Sequence, residues 1–188
     1  MSQKPYTASE DSALLRRAVS KFSGGSCLEL GAGNAGTLIE LSRRFAIAVG
    51  TDIVRPAMTD WKKARAEFVL GDGASCIRSS TFDLVVFNPP YIVAELGADP
   101  AVEGGELLEV PLMFLKEALR VVKSSGRVVM VLNDGADLDV FRKVCAGSGF
   151  KIERVASLRV FFEELAVYVA SEDSESREQA TLSRLHSS

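Results

Sequence analysis

The sequence predicts an α/β domain built on a doubly wound, mostly parallel seven-stranded sheet that ends in an antiparallel strand pair. Three observations predict it. Apolar strand-like runs alternate with stretches of helical spacing as far as Gly147, the rhythm of a parallel sheet joined by crossover helices. Most of those runs are nearly continuous rather than alternating, the pattern of strands covered on both faces. The last two runs follow one another with no room for a helix, so they must pair antiparallel.

Taken in order, Ser9 to Phe22 places Ala13, Leu14, Ala18 and Val19 at helical spacing, with Ser9 available to cap the first turn. Strands are expected at Ser26–Leu30, Ala46–Gly50, Glu67–Leu70, Asp83–Phe87 and Arg127–Leu132. Helices are expected between them at Gly36–Phe45, Ala57–Ala66, Leu107–Val122 and Ala136–Gly147. The closing pair is expected at Lys151–Leu158 and Val160–Ala170. From Ser171 onward the chain is polar and poor in apolar residues, which reads as a disordered tail beyond a single domain of residues 1–170.

Composition excludes whole classes of chemistry. A chain of 188 residues, 47% hydrophobic and 25% charged, is an ordinary globular chain of one-domain length. The one histidine, His186, lies in the polar tail, which removes Ser/His/Asp and Cys/His triads and histidine metal centres. Cys27, Cys76 and Cys145 are far apart in apolar surroundings and read as small buried hydrophobes, so neither zinc nor disulfides are expected. The formal charge is −3, with two of those charges in the tail. That leaves no basic footprint for nucleic-acid phosphates. The absence of an apolar run of about 18 to 20 residues, and of an apolar stretch after Met1, makes a cytoplasmic protein the expectation.

The first strand runs into Glu29-Leu30-Gly31-Ala32-Gly33-Asn34-Ala35-Gly36 and then a helix, a Gly-x-Gly-x-x-Gly turn in its proper context. Asp52 ends the second strand about 20 residues on, where a carboxylate accepts from both hydroxyls of a ribose. This pair alone fits either a dinucleotide or S-adenosylmethionine. Glu29 favours the latter, because a carboxylate there repels a pyrophosphate but suits an ammonium. Asp72, between Gly71 and Gly73 after the third strand, can accept from an exocyclic adenine amine. The closing antiparallel pair also resembles the sheet of the class I methyltransferases.

The fourth strand ends in Asn88-Pro89-Pro90-Tyr91. This resembles the motif of methyltransferases that modify planar nitrogens, either glutamine amides or the exocyclic amines of adenine and guanine. An amide NH2 is a poor nucleophile because its lone pair is delocalised. The Asn88 side-chain oxygen and the Pro89 carbonyl would accept its two hydrogens, with Tyr91 against the flat group. Near the start, Tyr6-Thr7-Ala8-Ser9-Glu10-Asp11-Ser12 before Leu14-Leu15 is similar to the Tyr-x-Pro-x-Glu-Asp-Ser/Thr-x-x-Leu segment of the short branch of the HemK family, the release-factor glutamine methyltransferases. Ala8 departs from it, standing where the family has proline. The resemblance extends through Glu103-Gly104-Gly105 to Val155–Leu158 and Glu163–Val167.

The resemblance implies S-adenosylmethionine as cofactor, with the Ser12 position near its methionine end. It implies as substrate the glutamine of the Gly-Gly-Gln loop of a class I translation release factor. It further implies a heterodimer with a small zinc-binding activator beside the third-strand edge, Glu67–Leu70. An RNA or DNA amino-methyltransferase, or a methyltransferase-like scaffold, are the alternatives.

Overall fold

The computed structural model describes residues 9–54, 65–89, 100–133, 136–160 and 163–173, with the backbone alone at residues 9 and 100–108. A single seven-stranded sheet organises them. In chain order the elements are α1 (Ser9–Val19), β1 (Gly24–Leu30), α2 (Gly36–Leu41), β2 (Phe45–Asp52), β3 (Glu67–Leu70), β4 (Phe82–Phe87), α3 (Pro100–Val121), β5 (Val122–Asn133), α4 (Leu138–Gly147), β6 (Phe150–Val160) and β7 (Glu163–Glu172). The strand order is β3-β2-β1-β4-β5-β7-β6. Strands β1 to β5 pair in parallel, and β7 runs antiparallel to both its neighbours.

The continuous apolar runs have a direct cause. Successive side chains of a strand point to opposite faces, and here both faces are covered. Leu84, Val86, Val129 and Val131 join Cys27 and Ala48 in a core with Leu14, Leu15 and Val19 of α1 and Leu38 and Leu41 of α2. Their sequence neighbours Val85, Phe87, Val128, Met130 and Leu132 join Leu28 and Leu30 in a second core, with Leu115, Ala118 and Leu119 of α3 and Phe141 and Cys145 of α4.

Several boundaries differ from expectation, each for a local reason. Helix α2 ends at Leu41 instead of Phe45, because Phe45 pairs with Gly24 and opens β2. Helix α3 begins at Pro100 and passes through residues 103–105, where Gly104 and Gly105 argue against helix in the sequence. Proline at the first helical position forfeits only an N–H that the helix leaves unpaired. Helix α4 starts at Leu138, because the Asp137 side chain accepts from the Asp139 N–H and caps it. Strand β5 starts five residues early: Phe82 pairs with Val122 and Leu84 with Arg127, so residues 123–126 bulge out. That bulge carries Lys123 to Asp83, at 2.6 Å.

Cys76 is exposed, against the expectation of a buried thiol, while Cys27 and Cys145 are buried. Burial pushes the Cys27 thiol up to about 12 and that of Cys145 up to about 11, so both stay protonated. Strand β7 reaches Glu172, and the Asp173 N–H donates to the Gly149 carbonyl, past the expected domain end at residue 170. The expected helix over residues 57–66 lies almost wholly outside the described residues, as do Tyr6, Ala8, Trp61, Pro90, Tyr91 and the tail from Ser174.

Candidate functional site

Parallel register gathers the sequence-predicted residues at one sheet edge. Leu30 pairs with Thr51 on one side and with Phe87 on the other, and Asp52 pairs with Leu70. Gly31, Asp52, the Gly71–Asp72 turn and Asn88 therefore stand at the carboxyl ends of four adjacent strands. The chain builds β2 and β3 to one side of β1 and then β4 and β5 to the other. The reversal falls between β1 and β4, where open α/β sheets receive ligands.

The glycine turn shows why these residue types are needed. Gly31 has φ +65° and Gly33 φ +48°, backbone that side chains disfavour, and a Cβ on Gly31 would also meet the Phe114 ring at 3.2 Å. The third glycine of the pattern is not the third left-handed residue. That conformation belongs to buried Ala35, at φ 62°, while Gly36 leaves room for the Arg16 guanidinium, 3.2 Å from where its Cβ would lie. Asp52 ties the turn down. Its Oδ2 accepts from the Gly33 N–H at 2.8 Å and its Oδ1 from the Val54 N–H at 2.9 Å. Each carboxylate oxygen keeps further acceptor capacity.

Glu29 is the one charged side chain buried within β1, 6% exposed. It lies between Leu28 and Leu30, which face the α3 and α4 core, so it projects toward the helices α1 and α2. The Thr37 hydroxyl and the Leu38 N–H donate to it, yet its Oε2 is buried without a partner. Burial pushes its carboxyl up to about 8; Thr37, Leu38 and the Arg16 charge oppose that rise and Asp52 adds to it. A carboxyl in this state needs a cationic donor to ionise at neutral pH.

Asn88 is half-buried directly after β4 and Pro89 is buried. The Asn88 Nδ2 donates to Oδ2 of Asp11 at 2.8 Å, and Asn88 Oδ1 is buried with no partner. Asp11 lies in the first turn of α1, 5% exposed, with its other oxygen accepting from the Ser12 N–H at 2.6 Å. Of this segment the sequence singles out Ser12 and not Asp11. The signal for Asp11 is its place in the Glu10-Asp11-Ser12 segment, but nothing in the sequence shows which strand end lies 77 residues away from it in the chain.

A groove of about 420 Å3 lies elsewhere, between α1 and β6, lined by Arg17, Lys21, Phe22 and Val155 among others; among the described residues none of the predicted site lines it. Among the described residues no group of His, Cys, Asp or Glu is placed to hold a metal, and no helix is long and apolar enough to cross a membrane.

No protein-family model and no curated protein matches the chain. Solved structures do. A chain of the Mtq2–Trm112 complex of E. cuniculi, responsible for methylation of the eRF1 translation termination factor, aligns over 89% of this chain and 98% of its own, at TM-score 0.68 and 21% identity. The 16S rRNA N2 G1207 methyltransferase RsmC of T. thermophilus aligns over 90% of this chain and 45% of its own, at TM-score 0.65 and 21% identity. The ribosomal protein L11 methylase of Lactobacillus delbrueckii subsp. bulgaricus aligns over 91% and 81%, at TM-score 0.62 and 15% identity. The fold is the Rossmann-like α/β fold of S-adenosylmethionine-dependent methyltransferases, antiparallel closing strands included.

Proposed function

We infer that this protein is an S-adenosylmethionine-dependent N-methyltransferase whose acceptor is the side-chain amide nitrogen of the glutamine in the Gly-Gly-Gln loop of a class I translation termination factor. The observation that carries the reading is the Asn88 side-chain oxygen: buried, unpartnered, and at the edge where the glycine turn ends. An orphaned buried acceptor costs about 1 to 3 kcal/mol unless a ligand supplies a donor, and an amide NH2 supplies two.

The residues present fit the cofactor. The unpartnered Glu29 oxygen matches an ammonium, Asp52 a pair of ribose hydroxyls, and Asp72 an adenine amine, with Ser12 at the methionine end. When bound, S-adenosylmethionine supplies an electrophilic methyl group. The chain's own contribution is positional. Asn88 Oδ1 and the Pro89 carbonyl accept the two amide hydrogens, which fixes the plane of the group and orients its nitrogen. By the family resemblance, Pro90 and Tyr91 would lie against the flat substrate. No histidine base is needed, in keeping with a chain whose one histidine lies at His186.

The likeness to a chain of the Mtq2–Trm112 complex supports the termination-factor substrate and a small partner subunit; zinc in that partner rests on the family resemblance alone. Exposed Leu70 (61%) on β3, with Ile53 (69%) and Val54 (65%) just past the end of the neighbouring β2, supply an apolar surface for it. An RNA substrate is the second reading, favoured by the likeness to RsmC. The weakly acidic charge and the open amide acceptor at Asn88 favour the protein.

The test is methyl transfer from radiolabelled S-adenosylmethionine to a termination factor, a structured RNA and a duplex DNA in parallel, with wild type and Asn88→Ala. Label on the termination factor's glutamine, lost in Asn88→Ala while the cofactor still binds within about tenfold, is the expected outcome. Label on RNA or DNA alone, or undiminished turnover by Asn88→Ala, refutes the reading.

A further inference from the structure

We propose that Asp11 is a positioning residue for methyl transfer: its carboxylate locks the Asn88 side-chain amide in the one orientation that offers an oxygen to the substrate. The proposal deepens the amide-acceptor reading of Asn88 and rests on it.

A primary amide is nearly symmetrical in shape but opposite in chemistry at its two ends. With Oδ1 forward, Asn88 accepts a hydrogen from an acceptor amide. Turned by half a revolution about its last bond, it would present NH2 to NH2, a repulsive pairing that also directs the target nitrogen's hydrogens away. Steric fit alone does not choose between the two. Asp11 does choose, because its carboxylate oxygen accepts and so faces the nitrogen. The Nδ2 to Oδ2 bond is 2.8 Å. The other oxygen is held by the Ser12 N–H at 2.6 Å, so the carboxylate is itself fixed within the first turn of α1. Both the carboxylate and the freed Asn88 oxygen are buried, which removes the water that would otherwise compete for them.

The partners are 77 residues apart in the chain, in α1 and at the exit of β4. Residues Leu14, Leu15 and Val19 seat α1 on the sheet in the same core as Val86, two residues before Asn88. Docking of α1 and orientation of the acceptor are thereby one event, and a chain whose first turn is frayed carries an Asn88 free to present either end.

The test compares wild type with Asp11→Ala, Asp11→Asn and the same-turn control Glu10→Ala. Each full-length protein is assayed for kcat and KM with a termination factor bearing the Gly-Gly-Gln loop, for cofactor affinity by calorimetry, and for thermal midpoint. Asp11→Ala is expected to lower kcat by about tenfold to a hundredfold, the range for a lost charge-assisted hydrogen bond, with cofactor affinity and both KM values held within about threefold. Asp11→Asn keeps an acceptor opposite Nδ2 and should recover most of the loss; Glu10→Ala should leave kcat unchanged. The proposal is overturned if Asp11→Ala keeps kcat within twofold, if Glu10→Ala reproduces its effect, or if kcat falls only in step with cofactor affinity or thermal midpoint. Should wild type leave the termination factor unmethylated, the functional reading fails, and the contact is still judged by nitrogen-15 NMR without substrate. The Asn88 side-chain NH2 pair, assigned by its loss in Asn88→Ala, must shift in Asp11→Ala; an unmoved pair overturns the contact.

Discussion

Glu29 carries the largest single-residue consequence in the described chain. Its carboxyl is held near 8 by burial, against an ordinary value of 4.5. The sign follows from linkage: between those values the unfolded chain has released the proton and the folded chain retains it, so stability falls as pH rises from about 4.5 to about 8 and then levels. The total is roughly 3 to 5 kcal/mol at 1.36 kcal/mol per pH unit. Thermal midpoints of the cofactor-free protein should decline across that range, and Glu29→Gln, neutral throughout, should flatten the decline. A cation bound at the unpartnered Oε2 reverses the argument, so cofactor binding near pH 7 should release about one proton. Calorimetry in buffers of different ionisation enthalpy measures it. At Asp52 the same carboxylate that holds the Gly33 N–H is the proposed ribose acceptor. Asp52→Ala should weaken S-adenosylmethionine by roughly 1.5 to 3 kcal/mol, read by the same titration.

Among the elements, the start of the β4–β5 pair is the most tightly specified. Asp83 accepts from the Ser26 N–H at 2.8 Å, the Ser26 hydroxyl at 3.1 Å and Lys123 at 2.6 Å, joining β1, β4 and the β5 bulge. Lys123 foremost, together with Ser26, holds its carboxyl below the usual carboxylate range, against a smaller opposing effect of burial. Gly126 closes the bulge with no room for a side chain: a Cβ would stand 2.6 Å from a Val122 methyl and 2.9 Å from the Asp83 carbonyl. The carbonyl cannot yield without breaking the strand pairing. Gly126→Ala should therefore destabilise the fold by about 1 to 3 kcal/mol, measured as a lowered urea midpoint, while cofactor affinity at the opposite sheet edge stays near wild type. The bulge was invisible in the sequence, where Arg127–Leu132 alone reads as strand, because Lys123-Ser124-Ser125-Gly126 is polar and carries no strand pattern, and the pairing of Phe82 with Val122 on its far side is a contact between distant segments.

At the scale of the whole molecule the two sheet edges differ. Strand β6 ends the sheet at the other edge, with Phe150 and Ile152 against α4 and most of its residues exposed, and its surface carries charges, with Arg154 paired to Glu164 at 3.0 Å. Strand β3 has four residues and ends in exposed Leu70, with exposed Ile53 and Val54 just past the end of its neighbour β2. Charged edges resist pairing, whereas exposed apolar surface invites it. Charged replacements such as Ile53→Lys, Val54→Lys and Leu70→Lys should therefore abolish co-purification with a partner subunit and the solubility it confers, while cofactor affinity is retained. A wild-type chain that is monomeric, soluble and fully active alone refutes the partner.

Sequence by itself determined the layers, the parallel core and the strand ends at which the candidate site residues stand. The continuous runs of β1, β4 and β5 announce two covered faces, and Gly31, Gly33, Asp52, Asp72 and Asn88 each follow a strand, so a parallel sheet carries all of them to one edge. Local pattern is enough for that, because side-chain alternation is a local property and a crossover helix between two strands brings them back parallel. Tertiary structure alone decided what depends on contacts between distant segments. It set β7 between β5 and β6 instead of outside them, assigned a left-handed backbone to Ala35 and not to Gly36, and buried Glu29 with one oxygen unpartnered. It also set Asp11 of α1 against Asn88, 77 residues apart. A hydrogen bond between such residues leaves no periodicity in either segment, since its existence follows from how α1 packs across the sheet and not from what either segment prefers alone.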